Sequence, residues 1–590
     1  MPATTALGPP VGRVAPGATM IRGREDDVNA LTAFVMDEHP MIEPPVAACE
    51  PQAGPASTRY APPAPGDAGA FQLQFTQGLH RALQNTPDTV ATLCNGRAQT
   101  FRALADRVAR IAGALRGLGV GPGDRVAILA LNADRVLEYY LAVPWLGALV
   151  VPLNFRWSMD EIVSGLADSG AGILFVDDAF AAEAGRLRAA CAGLRHVVFC
   201  GEREASPDGL SLEALVRDAD PLPDAGIGGA APFGIFYTGG TTGRAKGVVL
   251  SHANILLSAM GILGEGAYAE GAVGLHAAPM FHLADLMATA CLLLRGGTHV
   301  MLPAFHPEAV AALVAEHRIT DLLMVPTMLQ MLVDHPAFAA ADTSSLRSLL
   351  YGASPASEAL IDRAMRAMPG VAFGQVYGMT EAAATISILR PRDHEAAGRG
   401  AGRLRSAGRS FCHTQMRILS IDGLELGPGE VGEIVLSGPN VMSGYHGRPS
   451  ATSDALRDGW LHTGDMGYLD EAGYVFIVDR TKDMIITGGE NVYSLEVENA
   501  VCGHPAVAAA AVIGVPNAEW GESVHAVVVL RPDCSLTLED LGLHCRQRIA
   551  AYKCPRSLAI VERLPVSAAG KLLKTALRRP FWEGRDRKVG

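Results

Sequence analysis

The chain has no C-x-x-C pair, no long uninterrupted apolar run, no glycine at every third position and no excess of positive charge, and each absence excludes something. Ten cysteines are scattered from Cys49 to Cys554. Neither a disulfide framework nor a zinc site of ordinary ligand spacing is therefore expected, and free thiols in a reducing compartment are. The longest apolar stretch, 139–153, is broken by Pro144, Gly147 and Pro152, and it is too short to cross a bilayer. It reads instead as a buried helix running into the strand Ala148-Leu149-Val150-Val151. Sixty-five glycines and 37 prolines without a Gly-X-Y period exclude collagen. Lys and Arg number 49 against 61 Asp and Glu, a formal charge of −12, which argues against binding nucleic acid or acidic membranes by overall charge. An anionic substrate would need a local basic site. The opening Met1-Pro2-Ala3 lacks the plan of a secretory signal, and Arg587-Lys588-Val589-Gly590 is no peroxisomal tripeptide. A soluble cytoplasmic protein with no nucleic-acid partner is expected.

What is present is a long, folded chain. At 590 residues, with 49% hydrophobic and 19% charged residues, it is too large for one core and too apolar to be disordered throughout. Residues 1–70 differ from the rest: Gly8-Pro9-Pro10, Pro44-Pro45 and Ala61-Pro62-Pro63-Ala64-Pro65 interrupt every periodic run, and a disordered extension is expected. From 71 onward helix and strand patterns alternate. A helix over 100–118 places Leu104, Val108, Ile111 and Leu115 on one face, and a fully apolar strand follows at 125–131. Further pairs are read at 172–176, 307–317, 321–325 and 357–368. That rhythm predicts an α/β fold: a large N-terminal domain of mainly parallel sheets flanked by helices over 71–481. Near 480 the texture changes, and 482–590 reads as a small, mobile α+β domain with helices at 495–502 and 538–549 and strands at 508–514 and 523–530.

The strongest local signal is the loop between the strand-like segments 233–238 and 248–250. It holds Thr238, Gly239, Gly240, Thr241, Thr242, Gly243 and Lys246. Glycines let successive backbone N–H groups converge on a phosphate, while hydroxyls and a lysine add donors and charge. It is not a Walker A loop. Counted from Gly240, that pattern needs glycine at 245 and Ser or Thr at 247, where Ala245 and Gly247 stand.

Residues 237–247 resemble the phosphate loop of the acyl-adenylate-forming family, Tyr-Thr-(Ser/Thr/Gly)-Gly-Thr-Thr-Gly-x-Pro-Lys-Gly, departing from it at Ala245. Later motifs follow in the family's order, so the resemblance runs over roughly residues 71–580, closest to fatty-acyl-CoA synthetases. It implies ATP, Mg²⁺ and coenzyme A as the small molecules handled. It also implies roles. Pro279-Met280-Phe281-His282 resembles the aromatic-His motif, which puts His282 beside the acid, with Val325 and Gly378. Gly352, Ala353 and Ser354 resemble the loop packed on adenine. In Gln375-Val376-Tyr377-Gly378-Met379-Thr380-Glu381, the tyrosine would stack on adenine and Glu381 would hold magnesium, with Thr241 as the other candidate ligand. An aromatic face suits a purine, and a hard carboxylate oxygen suits magnesium.

Trp460-Leu461-His462-Thr463-Gly464-Asp465 and Asp479-Arg480 resemble the ribose-binding pair, with Asp465 accepting from the hydroxyls and Arg480 adding donors. Read without the resemblance, both are ordinary turn or surface chemistry. Lys482 occupies the family's hinge position. Gly488, Gly489 and Glu490 resemble the loop that reaches the pantetheine tunnel, and Ser494 stands where proline is common, an expected loosening of that turn. Lys571, in Ser567-Ala568-Ala569-Gly570-Lys571, resembles the C-terminal catalytic lysine, which brings an ammonium to the carboxylate and α-phosphate.

The expectation is a two-step ligase: a carboxylate attacks the ATP α-phosphorus, pyrophosphate leaves, and a thiol then displaces AMP. Only 572–590 follow Lys571, too little for a carrier domain, so free coenzyme A is favoured over a separate carrier protein. Arg546, Arg548, Lys553 and Arg556 form either a solvated basic face or a contact for its phosphates. The acid reads as apolar, a fatty acid first, then aromatic or alicyclic acids. A luciferase-like monooxygenase would share the adenylation step.

Overall fold

The computed structural model describes residues 72–203, 209–238, 245–354, 356–480, 483–488, 490–517, 519–566 and 572–583. The expected N-terminal extension, 1–70, lies outside them. Two large sheets dominate. One has nine strands, in which Thr298–Met301, Val273–His276, Asp321–Met324, Ser348–Gly352 and Ala372–Tyr377 lie side by side and parallel. The other has eight, with a parallel centre built from Leu149–Pro152, Arg125–Leu129, Ile173–Val176 and His196–Phe199. The expectation of mainly parallel sheets holds for this pair. Of a third sheet, of five antiparallel strands between Gln415 and Arg480, the pattern reading had only one strand, at 474–478, observed at Val475–Arg480. Its strands alternate burial irregularly, so period-two patterning is weak there.

The helix expected at 100–118 is Phe101–Gly117. Thr100 caps it, accepting from Ala103 N, and Leu104, Val108, Ile111 and Leu115 are all buried. The apolar run at 139–153 resolves into the helix Asp134–Trp145, buried at every residue, and the strand Leu149–Pro152. Its charged residues tolerate burial because they are paired: Arg97 Nε donates to Asp134 at 2.9 Å and Arg107 Nε to Glu138 at 2.7 Å. Side chains from both large sheets and from His252–Gly264 and Leu283–Arg295 share one apolar cluster, so these helices are packed between the sheets. The C-terminal part has its own core, formed by Val497, Val501, Val512, Val524, Leu541 and neighbours around a separate five-stranded sheet.

His252, 1% exposed, accepts at Nδ1 from Phe75 N at 3.1 Å, and its burial pushes the imidazole down to about 4. An unfolded histidine titrates near 6.5. Protons therefore bind the unfolded chain first, so the stability this group supports is complete above about pH 6.5 and is lost as pH falls toward 4. The slope from this one side chain is at most about 1.4 kcal/mol per pH unit. His252→Asn, whose Oδ1 can keep the Phe75 bond, should flatten urea-midpoint loss between pH 6.5 and 4.5. Identical slopes in variant and parent would refute it.

Candidate active site

Parallel strands deliver their carboxyl ends to one edge, and open α/β sheets place ligand sites there. Four neighbouring strands of the nine-stranded sheet do so here. Val273–His276 leads to His282, Asp321–Met324 to Val325, Ser348–Gly352 to Ala353 and Ser354, and Ala372–Tyr377 to Gly378, Thr380 and Glu381. Register places Tyr351 opposite Gln375 and Gly352 opposite Val376. His282 is the N-cap of Leu283–Arg295, its Nδ1 accepting from Ala284 N at 3.3 Å. Val325 is the N-cap of Pro326–Val333, half-buried against an apolar cluster that includes Leu275, Leu322, Met324 and Leu349.

The backbone around this edge is strained. Ala353, Ala383 and Ala384 hold positive φ of 66°, 46° and 67°, a region that alanine adopts only at a cost. A Cβ on Gly378 would lie 1.8 Å from the Ala384 carbonyl oxygen, so only glycine permits this close return of the chain. Asn440 ties the turn from outside, its Nδ2 donating to Thr385 O at 2.7 Å and Ala382 O at 3.3 Å.

Two other sheets meet this edge. In the five-stranded sheet, Asp465 and Arg480 are cross-strand partners, with Arg480 Nε 3.3 Å from Asp465 Oδ1. The Tyr377 hydroxyl donates to Asp465 Oδ2 at 2.7 Å. Burial first, then the Asp465 charge, raises that phenol well above its ordinary value, so it stays protonated as donor. Asp465 sits in the continuous strand Trp460–Leu469 and not in a turn, a correction to the residue-level reading; Gly464, at φ 70°, bends the strand just before it.

The third contribution is the hairpin Pro232–Thr238 and Lys246–Ser251. Thr238 pairs with Lys246, its hydroxyl donating to Lys246 O at 3.4 Å. The loop positions Gly239, Gly240, Thr241, Thr242 and Gly243 lie outside the described residues, as do Lys482, Gly489 and Lys571. Tyr237, at the hairpin's base, donates to Asp168 Oδ2 at 2.8 Å, and Arg448 donates to Asp168 Oδ1 at 3.0 Å. Tyr445 was not foreseen. Its hydroxyl donates to Glu381 Oε1 at 2.9 Å, and Lys246 Nζ lies 4.8 Å from its ring centroid. The surrounding Ser443-Gly444-Tyr445-His446-Gly447 is too generic a string to have drawn notice.

Glu381 suits a hard cation. One carboxylate oxygen is held by Tyr445, and the other accepts no hydrogen bond among the described residues. Asp465 and Arg480 together offer acceptors and donors suited to a vicinal diol.

Gly488 and Glu490 belong to a hairpin, Ile485–Thr487 paired with Glu490–Val492, where a loop had been read. Gly488 has φ 62°, and a Cβ there would meet Trp520 at 2.6 Å. Of the basic positions, Lys553 is held by both Glu496 oxygens at 2.7 and 2.8 Å, and Arg556 lies over the Trp520 ring at 5.0 Å. Arg548 donates to His544 O at 3.0 Å.

Ser494 does not loosen its turn. It is fully buried, and its N–H and hydroxyl both donate to Asp479 Oδ2, at 2.5 and 2.7 Å. Lys574 Nζ donates to Ser494 Oγ at 2.6 Å and pairs with Glu498 at 2.8 Å. Proline would suit this first helical position but brings no N–H. Ser494→Pro should therefore lower stability by about 1–3 kcal/mol by removing both donors from Asp479 Oδ2, while Oδ1 keeps its bond from Arg480 N, and Ser494→Ala by less. Urea unfolding measures both, and a proline variant as stable as the parent would remove the network's importance.

Residues 79–446 match the family model "AMP-binding enzyme" and residues 496–571 "AMP-binding enzyme C-terminal domain". A feruloyl-CoA synthase of Amycolatopsis sp is 43% identical over 508 residues, 85% of this chain and 98% of that protein. The fatty acid–[acyl-carrier-protein] ligase ScoC of Streptomyces coeruleorubidus is 37% identical over 510 residues, 86% of this chain and 96% of its own. Among solved structures, o-succinylbenzoate CoA synthetase (MenE) from Bacillus subtilis, in complex with its acyl-adenylate intermediate OSB-AMP, is similar with a TM-score of 0.74. It is 32% identical, covering 87% of this chain and 99% of that one. The chain belongs to the AMP-binding enzyme family, the adenylate-forming acyl-CoA ligases, which work with ATP, Mg²⁺ and coenzyme A.

Proposed function

We propose that this protein joins an apolar carboxylic acid, with an aromatic acid ahead of a fatty acid, to coenzyme A through an acyl-adenylate. The observation that carries the reaction is the convergence of Tyr377, Asp465 and Arg480 from two different sheets beside Glu381. The order of acids differs from the expectation drawn from the residues. It rests on the 43% identity to a feruloyl-CoA synthase, with the fatty-acid ligase at 37% supporting the second reading.

Roles follow from chemistry. Tyr377, its hydroxyl tethered, offers a ring face to adenine, while Asp465 and Arg480 bind the ribose. Thr238 and Lys246 hold the stem of the phosphate loop, whose Thr241 is the second candidate metal ligand. Bound Mg²⁺ neutralises charge along the triphosphate, and Glu381 supplies its carboxylate oxygen. The acid's oxygen attacks the α-phosphorus and pyrophosphate departs, with Lys571 stabilising charge on the transferring group. The thiol of coenzyme A then attacks the acyl carbon and AMP leaves. His282 and Val325, on the strand edge, border the acid. The two steps need different groups, so the domain 482–590 turns about Lys482 between them, with Gly488, Gly489 and Glu490 approaching the pantetheine arm in the second.

Lys571→Ala should lose adenylate formation, read as pyrophosphate exchange, yet still form thioester from supplied acyl-AMP; equal loss of both half-reactions refutes its role. Hydroxamate formation with ferulate, benzoate and dodecanoate, followed by coenzyme A-dependent thioester assay, ranks the acids. Dodecanoate preferred over every aryl acid would reverse the order, and no exchange with any acid would overturn the ligase reading.

A further inference from the structure

The segment that follows the strand Gly432–Ser437 is tied to the phosphate-loop hairpin and to the Glu381 turn at once. Gly444–Tyr445 pairs antiparallel with Lys246–Ser251, Gly444 opposite Val249 and Tyr445 opposite Val248. Ser443 N donates to Val249 O at 3.0 Å and His446 N to Gly247 O at 2.7 Å. On the other side, Met442 N donates to the Glu381 carbonyl at 2.8 Å. Three residues farther along, the Tyr445 hydroxyl reaches the Glu381 carboxylate, and the same ring lies beneath the Lys246 ammonium. Arg448 completes the strap through Asp168 to Tyr237, at the opposite strand of the hairpin.

We propose that Tyr445 is a positioning residue for nucleotide binding: its hydroxyl orients the Glu381 carboxylate toward the metal on the triphosphate, while its ring aims Lys246 at the phosphates. The inference rests on the reading of Glu381 as metal ligand and adds to it how that side chain is aimed. Glu381 lies in the turn after a strand of the nine-stranded sheet and Lys246 starts a strand of the eight-stranded one; the strap's main-chain bonds set the distance between the two backbones but not the direction of either side chain. A phenol does both tasks with one rigid group. Its O–H donates to one carboxylate oxygen, leaving the second oxygen for a cation, and its negative ring face attracts an ammonium. Lys246 and Glu381 form no direct ion pair, so neither charge neutralises the other before the nucleotide arrives. Groups that orient a ligating carboxylate typically contribute about 10-fold or more to metal affinity.

The test separates ring from hydroxyl. ATP affinity of the full chain is measured calorimetrically with Mg²⁺ and with EDTA, without acid present, and the ratio is the metal's advantage. Tyr445→Phe keeps the ring and should cut that ratio about 10-fold while leaving metal-free ATP affinity within about twofold. Tyr445→Leu should lower metal-free affinity as well. Glu381→Gln should abolish the metal's advantage. If Tyr445→Phe keeps the parent ratio while Glu381→Gln loses it, the inference fails and the Glu381 assignment stands. If Glu381→Gln keeps the ratio, that assignment fails and takes the inference with it. Equal loss in both conditions for Tyr445→Phe, at unchanged thermal stability, would mean a general packing role and would also overturn it.

Discussion

Two phenol-to-carboxylate hydrogen bonds tie together three sheets that share one apolar core. Tyr377 to Asp465 joins the nine-stranded sheet to the antiparallel one, and Tyr445 to Glu381 joins the eight-stranded sheet to the nine-stranded. A sheet is rigid within itself, but its placement against another depends on the contacts between them. A charge-assisted bond of 2.7–2.9 Å gives that placement a direction which apolar packing lacks. The site lies where the three meet, so its geometry depends on these contacts.

Parallel topology does the preceding work. It gathers the ends of four successive strands on one edge, and the helices returning between them bury the chain on the other faces. The cost appears locally: alanines 353, 383 and 384 with positive φ, and a glycine at 378 that only a missing side chain allows. Such strain persists because the surrounding structure overdetermines it, through Asn440 and the Met442 backbone bond to Glu381.

At the junction with the C-terminal part, a serine where proline is common changes the polar chemistry. Asp479 lies next to the end of one strand of the third sheet, Val475–Arg480, while Ser494, Glu498 and Lys574 belong to helices beyond Lys482. Desolvation raises the Asp479 and Glu498 carboxyls, and Lys574 opposes this in both. One ammonium thus offsets the burial of two acids, Glu498 directly and Asp479 through a serine that both donates and accepts. Sequence reading treated that serine as a lost rigid residue, because a substitution's partners lie 15 and 80 positions away.

Much of the fold was legible along the chain. The alternation of 3.6-residue and apolar-strand patterns is local, so the helices at 101–117, 134–145 and 307–316 and the parallel strands between them follow from neighbouring residues alone. Motif order likewise pointed to Tyr377, Glu381, Asp465 and Arg480, since family likeness is carried by short strings. Most of the antiparallel sheet beyond its strand at 475–480, the placement of Asp465 within a strand, the Tyr445 strap and the Ser494 network were not legible. Each depends on which distant segment a side chain faces, and that is decided when sheets pack: a tyrosine in a Gly-rich string carries no mark that its hydroxyl will meet a carboxylate 64 residues earlier. Local chemistry chose the elements and the reactive groups, and packing between sheets chose their partners.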